Sequence, residues 1–385
     1  MHPRSIRHRA ALVVFVLAAA TGAVLVGQSP QSGTAADIIS RVKSQFAPDA
    51  RIAVFTVQAE VKENGIELVG DVEQPAAKEA LLKAFKDAGV ANVVDKIAVL
   101  PDPAMAAKPL GVVTVSVAVM KTKPSHASEL GNQLIMGMVV KMLKSESGWY
   151  FVQSLDDRYL GWMEPSHLAL MTKDQADAMA RGPRAIVTSL FAFVRERPSP
   201  DGAPVCDLVV GDVLSATGRS AGWMAVQLPD GRKGFVADAD ATDYHAWKAS
   251  RTITPEAIEQ TARRFMGVPY LWGGTSAKGF DCSGYLKTVF RLNGLELQRD
   301  TDQQANEGVA VPTDNDFAEV RKGDALFFGP RAGVTRITHT GIYMGEKLFI
   351  HCAGMVKLNS LAPASPIYSE NLLKRLVKVR RYATP

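Results

Sequence analysis

Two similar segments near the middle of the chain constrain its fold more than any other feature. They are GWYFVQSLDDRYLGWM, from Gly148, and GWMAVQLPDGRKGFV, from Gly222. Both contain Gly-Trp, Val-Gln, an acidic turn with arginine, and a closing glycine before an aromatic residue. Self-similarity of this kind indicates a duplicated unit, and short alternating runs between glycine and aspartate turns are typical of small β-barrels. We therefore predict two consecutive β-barrels, at residues 110–172 and 184–245.

The rest of the chain divides around these barrels, because 385 residues are too many for one ordinary domain. Residues 35–101 are predicted to form an α/β sandwich. Strand-like alternation occurs in RIAVFTVQAEV and GIELVGDV, and the helical pattern QPAAKEALLKAFKDAG follows. A proline-containing linker joins this domain to the first predicted barrel. Residues 250–382, after the second barrel, are predicted to form a last α+β domain. The expected molecule is thus a multidomain α+β protein.

Residues 1–30 have the composition of an export signal, with a basic start, an apolar run and a small polar end. The apolar run has no clean cleavage site after it, so an N-terminal anchor is the alternative. We expect an exported protein of the periplasm or cell envelope. Arg4, Arg7 and Arg9 supply most of the net charge of +5, so charge gives no reason to expect a nucleic-acid partner.

Cys282 is the candidate nucleophile. The chain has three cysteines, and an odd number in an exported protein indicates at least one free thiol. Cys282 begins a predicted helix in GFDCSGYLKTVFRLNG that ends near Gly294. Unpaired amides and the macrodipole at a helix N-terminus favour the thiolate, so we expect a lowered thiol pKa.

Two histidines are candidate partners of that thiol. His339 and His351 flank a turn between two predicted strands, and their even spacing puts both on one face of a hairpin. His339 would be the base and His351 would orient its ring. Zinc binding by both histidines with Cys352 is an alternative, but adjacent residues of a strand point to opposite faces.

The motifs DCSGY, KGDALFF, HTGIYMG and IHCAG occur in this order. Together they resemble the NlpC-type family of papain-like cell-wall cysteine peptidases, over roughly residues 250–382. The resemblance implies an antiparallel sheet packed against the nucleophile helix, and hydrolysis of murein stem peptides between γ-D-glutamate and the diamino acid. It gives Cys282, His339 and His351 their catalytic roles, assigns Tyr270 to the oxyanion site, and implies no cofactor.

The two predicted barrels resemble bacterial Src-homology-3-like domains. Together with the segment QRDTDQQ they resemble the subgroup that cleaves after L-Ala-γ-D-Glu when the alanine amine is free. By this resemblance, Asp300 and Tyr159 hold the amine, while Ser283 and Thr301 meet the glutamate carboxylate. Asp281 completes the implied substrate-binding set. Asp300 is also a candidate cap for a following short helix.

The stretches GIELVGDV and GVANVVDKIAVL resemble the BON domain of bacterial envelope proteins. This implies an envelope-associated module that contacts lipid, and a spacer without a ligand is the alternative.

Two other functions stay open at this point. A Cys-His pair serves any acyl transfer, so an amidase or acyltransferase on the same fold is one. A non-catalytic cell-wall-binding protein is the other.

Overall fold

The structure is a computed structural model that describes residues 30–382. It contains a three-stranded sheet, two seven-stranded sheets, a two-stranded sheet and a six-stranded sheet. The predicted export signal or anchor lies outside the described residues except for its last position. Among the helices between residues 30 and 382, none is long and apolar enough to cross a membrane.

The N-terminal domain packs two helices on a three-stranded sheet around Ile38, Leu68 and Phe85. The first two strands are antiparallel and the last two are parallel. The elements are α1 (Pro30–Phe46), β1 (Gln58–Lys62), β2 (Gly65–Val72), α2 (Pro75–Asp87) and β3 (Val93–Val99).

The segment RIAVFTVQAEV forms a strand only in its last part. Residues 51–57 form turns and a loop instead, because only an isolated bridge from Phe55 to Val72 pairs them with β2, while residues 51 and 52 bond to the next domain. The Leu160 amide donates to the Arg51 carbonyl oxygen at 2.8 Å, and Gln153 Nε2 donates to the Ile52 carbonyl oxygen at 2.9 Å. This loop, residues 47–57, reaches the candidate site described below.

Two antiparallel seven-stranded domains follow. The first β-domain comprises β4 (Leu110–Val113), β5 (Val117–Lys121), β6 (Leu130–Ile135), β7 (Val139–Glu146), β8 (Trp149–Ser154), β9 (Leu160–Met163) and β10 (Leu168–Met171). After α3 (Lys173–Arg181), the second comprises β11 (Arg184–Val187), β12 (Phe191–Arg195), β13 (Pro204–Val209), β14 (Val213–Ser220), β15 (Trp223–Gln227), β16 (Lys233–Ala237) and β17 (Ala241–Asp243).

Both β-domains have the same strand order. It is β10-β4-β7-β8-β9-β5-β6 in the first, and β17-β11-β14-β15-β16-β12-β13 in the second. The repeated sequences form the equivalent hairpins β8–β9 and β15–β16. Tyr159 precedes β9 and faces the C-terminal domain, whereas Arg232 precedes β16 and donates to the Thr114 carbonyl oxygen of the first β-domain at 3.0 Å. The same hairpin corner therefore contacts different neighbours in the two copies.

The C-terminal domain packs helices on a six-stranded antiparallel sheet of order β20-β25-β21-β22-β23-β24. After α4 (Tyr244–Ala249), its elements are α5 (Pro255–Arg263), β18 (Thr275–Ser276), β19 (Gly279–Phe280), α6 (Cys282–Leu292), α7 (Thr301–Gln304), β20 (Val309–Val311), α8 (Asp314–Phe317), β21 (Ala325–Phe328), β22 (His339–Gly345), β23 (Leu348–Ala353), β24 (Met355–Ser360), α9 (Glu370–Arg375) and β25 (Leu376–Arg381). Helix α6 packs against α5, β22 and β23. This packing sets the helix of the candidate nucleophile against the strands that carry His339 and His351.

Candidate active site

Cys282 is the first residue of α6, as the sequence predicts, and its residue surface is only 8% exposed. Asp281 caps the helix, since its Oδ1 accepts from the Gly284 amide at 2.7 Å. Gly284 is required by close packing, because a Cβ there would lie 2.0 Å from the Gly274 carbonyl oxygen. The DCSGY motif thus lets the start of α6 approach the loop before β18.

The two histidines meet on the β22–β23 hairpin. The strands pair with Ile342 opposite Ile350, and the even spacing brings both rings to one face although a bulge follows Tyr343. His339 Nε2 lies 2.7 Å from His351 Nδ1. This contact leaves His339 Nδ1 as the ring nitrogen for another partner.

A third residue extends this chain of hydrogen bonds. His351 Nε2 lies 2.9 Å from Asn359 Oδ1, and Asn359 Nδ2 donates to the Ile367 carbonyl oxygen at 3.0 Å. Because the amide oxygen only accepts, it makes His351 Nε2 the protonated nitrogen and His351 Nδ1 an acceptor. His339 Nε2 then carries a proton, and His339 Nδ1 is free to act as a base.

The thiol and the histidine strand are in contact through the main chain. The Ser283 and Thr340 amides interact with the Cys282 sulfur, and Thr340 directly follows His339 in β22. Two backbone N–H groups are therefore directed at the sulfur, where they favour its negatively charged form.

Burial governs the protonation of this group. It raises the pKa of Cys282 to about 12, and Asp281 adds to the rise while the two amides act against it. Burial, followed by His351, lowers the pKa of His339 to about 3, and burial lowers that of His351 to about 4. The expected lowering of the Cys282 pKa is wrong in sign, because desolvation of the thiolate outweighs the helix N-terminus. The resting thiol and imidazoles are neutral at pH 7.

A cavity of about 330 Å³ opens over Cys282. Its walls include seven of the nine residues predicted as site residues: Tyr159, Tyr270, Asp281, Cys282, Ser283, Asp300 and Thr301. The other two, His339 and His351, lie outside its lining, but Ile337 and Thr338 in the chain just before His339 contribute to it. The structure thus brings residues that are widely separated in the sequence to one place.

Tyr270 lines the same cavity as Cys282. Its amide donates to the Gly354 carbonyl oxygen at 2.8 Å, which fixes the backbone of the loop. Burial, with a contribution from Cys282, raises the pKa of its phenol above the usual range. The hydroxyl therefore stays protonated and is a hydrogen-bond donor.

Arg299, which is not among the predicted site residues, is a buried cation of the cavity. Its side chain is 1% exposed and binds Asp281 through both oxygens, at 2.5 and 3.2 Å. It also donates to Ser283 Oγ at 2.9 Å and to Asn132 Oδ1 at 3.0 Å. Asp281 accepts further from the Gly273 amide at 3.0 Å, so its lone pairs are directed at protein donors. The position of Arg299 next to Asp300 in QRDTDQQ is the sequence feature that indicates a place in the site.

Asp300 lies at another part of the same cavity and is the N-cap residue of α7, where its amide donates to Gln303 Oε1 at 3.1 Å. Tyr159 is close enough for Asp300 to raise its pKa, after the larger effect of burial. Asp300 Oδ2 accepts from Arg51 Nη1 at 2.9 Å. Thr301 follows as the first residue of α7. The N-terminal domain therefore contributes directly to this part of the cavity.

The first β-domain forms a wall of the cavity through Glu129, Gly131 and Tyr159. Its Gln133 Oε1 accepts from the Thr275 amide at 3.0 Å, and Glu129 Oε1 accepts from Trp272 Nε1 at 2.7 Å. These bonds join the domain to the loop that leads into α6.

The zinc alternative does not fit this geometry. The facing nitrogens of His339 and His351 are at hydrogen-bond distance from each other, and Cys352 Sγ points to the Phe280 carbonyl oxygen at 3.2 Å. All three cysteines are free thiols.

Known proteins are similar to this chain in sequence. The NlpC/P60 family matches residues 267–381, and the bacterial dipeptidyl-peptidase Sh3 domain matches residues 120–168. The gamma-D-glutamyl-L-lysine dipeptidyl-peptidase of Bacillus subtilis (strain 168) is 32% identical over 260 residues, which are 65% of this chain and 80% of that protein. Dipeptidyl-peptidase 6 of Lysinibacillus sphaericus is 27% identical over 280 residues, or 70% of this chain and 97% of that protein.

A solved structure agrees with the fold. The NlpC/P60 family protein from Bacillus cereus ATCC 10987 superposes with a TM-score of 0.62 at 24% identity. The match covers 71% of this chain and 100% of that one, so more than a quarter of this chain has no counterpart there. From the sequence matches and the assembled site, the chain belongs to the NlpC/P60 family of cysteine peptidases acting on peptidoglycan.

Proposed function

We propose that this protein hydrolyses the bond between γ-D-glutamate and the diamino acid of murein stem peptides whose N-terminal L-alanine has a free amine. The observation that carries this proposal is one cavity with a nucleophile-forming thiol and the Asp300 carboxylate beside Tyr159. Relatives named gamma-D-glutamyl-L-lysine dipeptidyl-peptidase support the same bond and the release of a dipeptide.

Acylation starts from the neutral Cys282–His339 pair. His339 Nδ1 takes the thiol proton as Cys282 Sγ attacks the γ-carbonyl carbon of D-glutamate. The carbonyl oxygen becomes an oxyanion, which accepts hydrogen bonds from the Tyr270 hydroxyl and the Cys282 backbone amide. Each such donor lowers a barrier by roughly 3 kcal/mol. His339 then protonates the nitrogen of the diamino acid, the C–N bond breaks, and a thioester remains.

Deacylation repeats the steps with water. His339 Nδ1 accepts a proton from the attacking water, and the new tetrahedral intermediate expels Cys282 Sγ, which regains a proton from His339. L-Ala-γ-D-Glu leaves with its carboxylate. His351, held by Asn359, keeps the His339 ring in the required orientation throughout.

The remaining site residues bind the dipeptide. Asp300 pairs with the alanine ammonium, and the Tyr159 hydroxyl supplements it. Ser283 and Thr301 meet the α-carboxylate of D-glutamate: the Ser283 hydroxyl turns from Asp281 Oδ1 to donate to it, and Thr301 supplies the same hydroxyl as a serine with one added methyl group. Asp281 lines the cavity and acts by holding Ser283 and Arg299 in place.

We also propose an identity for each domain of the chain. Residues 110–172 and 184–245 are two bacterial Src-homology-3-like barrels, and residues 250–382 are the peptidase domain. Residues 35–101 are a BON-like module with an envelope or lipid partner, supported by the helix–strand order around β2. Residues 1–30 export the protein to the periplasm or cell envelope and serve as signal or anchor.

The test compares two peptides, L-Ala-γ-D-Glu-diaminopimelate and its N-acetylated form, with products identified by mass spectrometry. We expect cleavage of the free-amine peptide alone, with L-Ala-γ-D-Glu released. Asp300→Asn should strongly lower kcat/KM for the free-amine peptide. The expected loss corresponds to the roughly 2–5 kcal/mol that is lost when one member of a desolvated charge pair is removed. Asp314→Asn, at an exposed position of the same domain, is the matched control. Equal cleavage of both peptides by the wild type would refute recognition of the amine.

A further inference from the structure

Arg51, in the loop between α1 and β1, enters the cavity from the N-terminal domain. Its guanidinium contacts three carboxylates, those of Asp49, Asp300 and Asp302. Nε donates to Asp49 at 2.9 Å, Nη1 donates to Asp300 at 2.9 Å and Asp302 at 2.8 Å, and Nη2 donates to Asp49 and Asp302, both at 2.8 Å. A guanidinium has five N–H groups, and these five bonds use all of them.

The loop that carries Arg51 is fixed to the elements that form the amine subsite. The Arg51 carbonyl oxygen accepts from the amide of Leu160, the residue after Tyr159, at 2.8 Å. Asp49 accepts from Gln303 Nε2 of α7 at 2.8 Å. The loop thus joins the strand end that positions Tyr159 to the helix that Asp300 caps.

The charge of this cluster still favours an ammonium ligand. Three carboxylates surround one guanidinium, and the nearby Arg299–Asp281 pair is neutral as a unit. Arg51 binds Asp300 through Oδ2, whereas Oδ1 lies 3.9 Å from Arg299 Nη1. An ammonium can therefore pair with Oδ1 while every bond of Arg51 stays in place.

We propose that Arg51 is a positioning and specificity-determining residue, through which the N-terminal domain completes the amine subsite of the peptidase. This inference rests on the proposed function. Arg51 holds Asp300 in place, keeps its carboxyl ionised, and closes the cavity against a substituent on the alanine nitrogen. A competing role as a removable plug would require five hydrogen bonds to break before substrate binds.

The electrostatics give this role a pH signature. Burial raises the pKa of Asp300, and Arg299 and Arg51 oppose that effect. The charged or titratable groups around this carboxyl are Arg51, Asp49, Tyr159, Asp281, Arg299 and Asp302. Loss of the Arg51 cation raises the Asp300 pKa further. As the pH falls, the ionised form of Asp300, which binds the ammonium, is then lost at a higher pH than in the wild type. The acid limb of the kcat/KM profile therefore moves to higher pH.

The experiment measures kcat, KM and the pH profile of the full-length protein with the free-amine and N-acetylated peptides. In Arg51→Met, we expect KM for the free-amine peptide to rise about tenfold, kcat to change less than about threefold, and the acid limb to move to higher pH. Arg51→Lys should restore most of both effects, because it retains the cation. Arg197→Met, at an exposed position of the second β-domain, should behave as the wild type.

The outcomes separate this inference from the proposed function. A wild type that prefers the free-amine peptide, together with unchanged KM and pH profile in Arg51→Met, would refute the inference alone. A rise of kcat/KM in Arg51→Met would show a plug and would also refute it. A wild type that cleaves both peptides equally would refute the proposed function and this inference with it. Thermal melting of each variant reports whether the fold is retained.

Discussion

The buried pair of Asp281 and Arg299 gives an asymmetric prediction. In Asp281→Asn the cap of α6 survives, because asparagine is as good an N-cap as aspartate. Arg299, 1% exposed, then has only neutral hydrogen-bond acceptors, among them Asn132 Oδ1 and Ser283 Oγ, and its remaining carboxylate neighbour is Asp300, at 3.9 Å. In Arg299→Met, Asp281 still receives bonds from the Gly273 and Gly284 amides and from Ser283. Asp281→Asn therefore leaves the Arg299 charge less well compensated than Arg299→Met leaves the Asp281 charge.

The magnitudes follow from that difference. Removing one partner of a buried pair costs about 3–5 kcal/mol, and we place Asp281→Asn in this range. Arg299→Met should cost about 1–3 kcal/mol, since the remaining carboxylate is hydrogen-bonded. The double variant should cost less than the sum of the two single variants by about 1–3 kcal/mol.

Differential scanning calorimetry of the wild type, both single variants and the double variant measures this cycle, because it resolves separate transitions in a multidomain chain. We expect the transition of the C-terminal domain to fall by about 2–4 °C for each kcal/mol, and furthest in Asp281→Asn. Equal shifts in the two single variants, or strict additivity in the double variant, would show that the carboxylate does not chiefly compensate Arg299.

Three further predictions concern the catalytic group. Cys282→Ala should abolish turnover with an unchanged melting temperature, and Cys206→Ala should retain activity; substantial turnover in the first variant would exclude Cys282 as nucleophile. His339→Ala should lower kcat more than His351→Asn, which keeps hydrogen-bonding groups, whereas equal and complete loss with metal in the purified protein would favour a zinc site. Burial lowers the pKa values of His339 and His351 from 6.5 to about 3 and about 4. Below pH 6.5 the unfolded state therefore binds more protons than the folded state, and the free energy of unfolding should fall as the pH is lowered from 6.5 towards 4. His351→Asn should flatten that fall in thermal melts across the same pH range, and an identical slope would contradict the origin assigned to it.

The positions of the proposed catalytic residues could be predicted because local patterns specify them. A cap and a glycine at the start of α6 fix the position of Cys282, and the period of a strand puts His339 and His351 on one face. Asn359 was within reach of the same reasoning, since it lies eight positions after His351 on the next strand of the meander. The even spacing of His351 and Asn359 is visible in the sequence, but an asparagine in a strand does not by itself indicate a catalytic role.

Other parts of the site depend on contacts between distant segments. Arg51 and Asp300 are 249 positions apart, and nothing in RIAVFTVQAEV distinguishes an arginine that leaves the sheet from one that stays on it. The alternation predicted a longer strand because it records local preference, whereas bonds from Leu160 and Gln153 decide the observed path. The sign of the Cys282 pKa shift also depended on burial, which the position of a helix end does not reveal.

The corner before β9 and the corner before β16 suggest a route to new substrates by loop exchange. Both corners close the same hairpin in sheets of identical strand order, yet one supplies Tyr159 to the cavity and the other supplies Arg232 to a neighbouring domain. The scaffold therefore tolerates unrelated side chains at this corner without a change of topology. A library randomised at the first corner, with the second left intact as the interdomain anchor, would vary this wall of the cavity while Cys282, His339 and His351 remain constant.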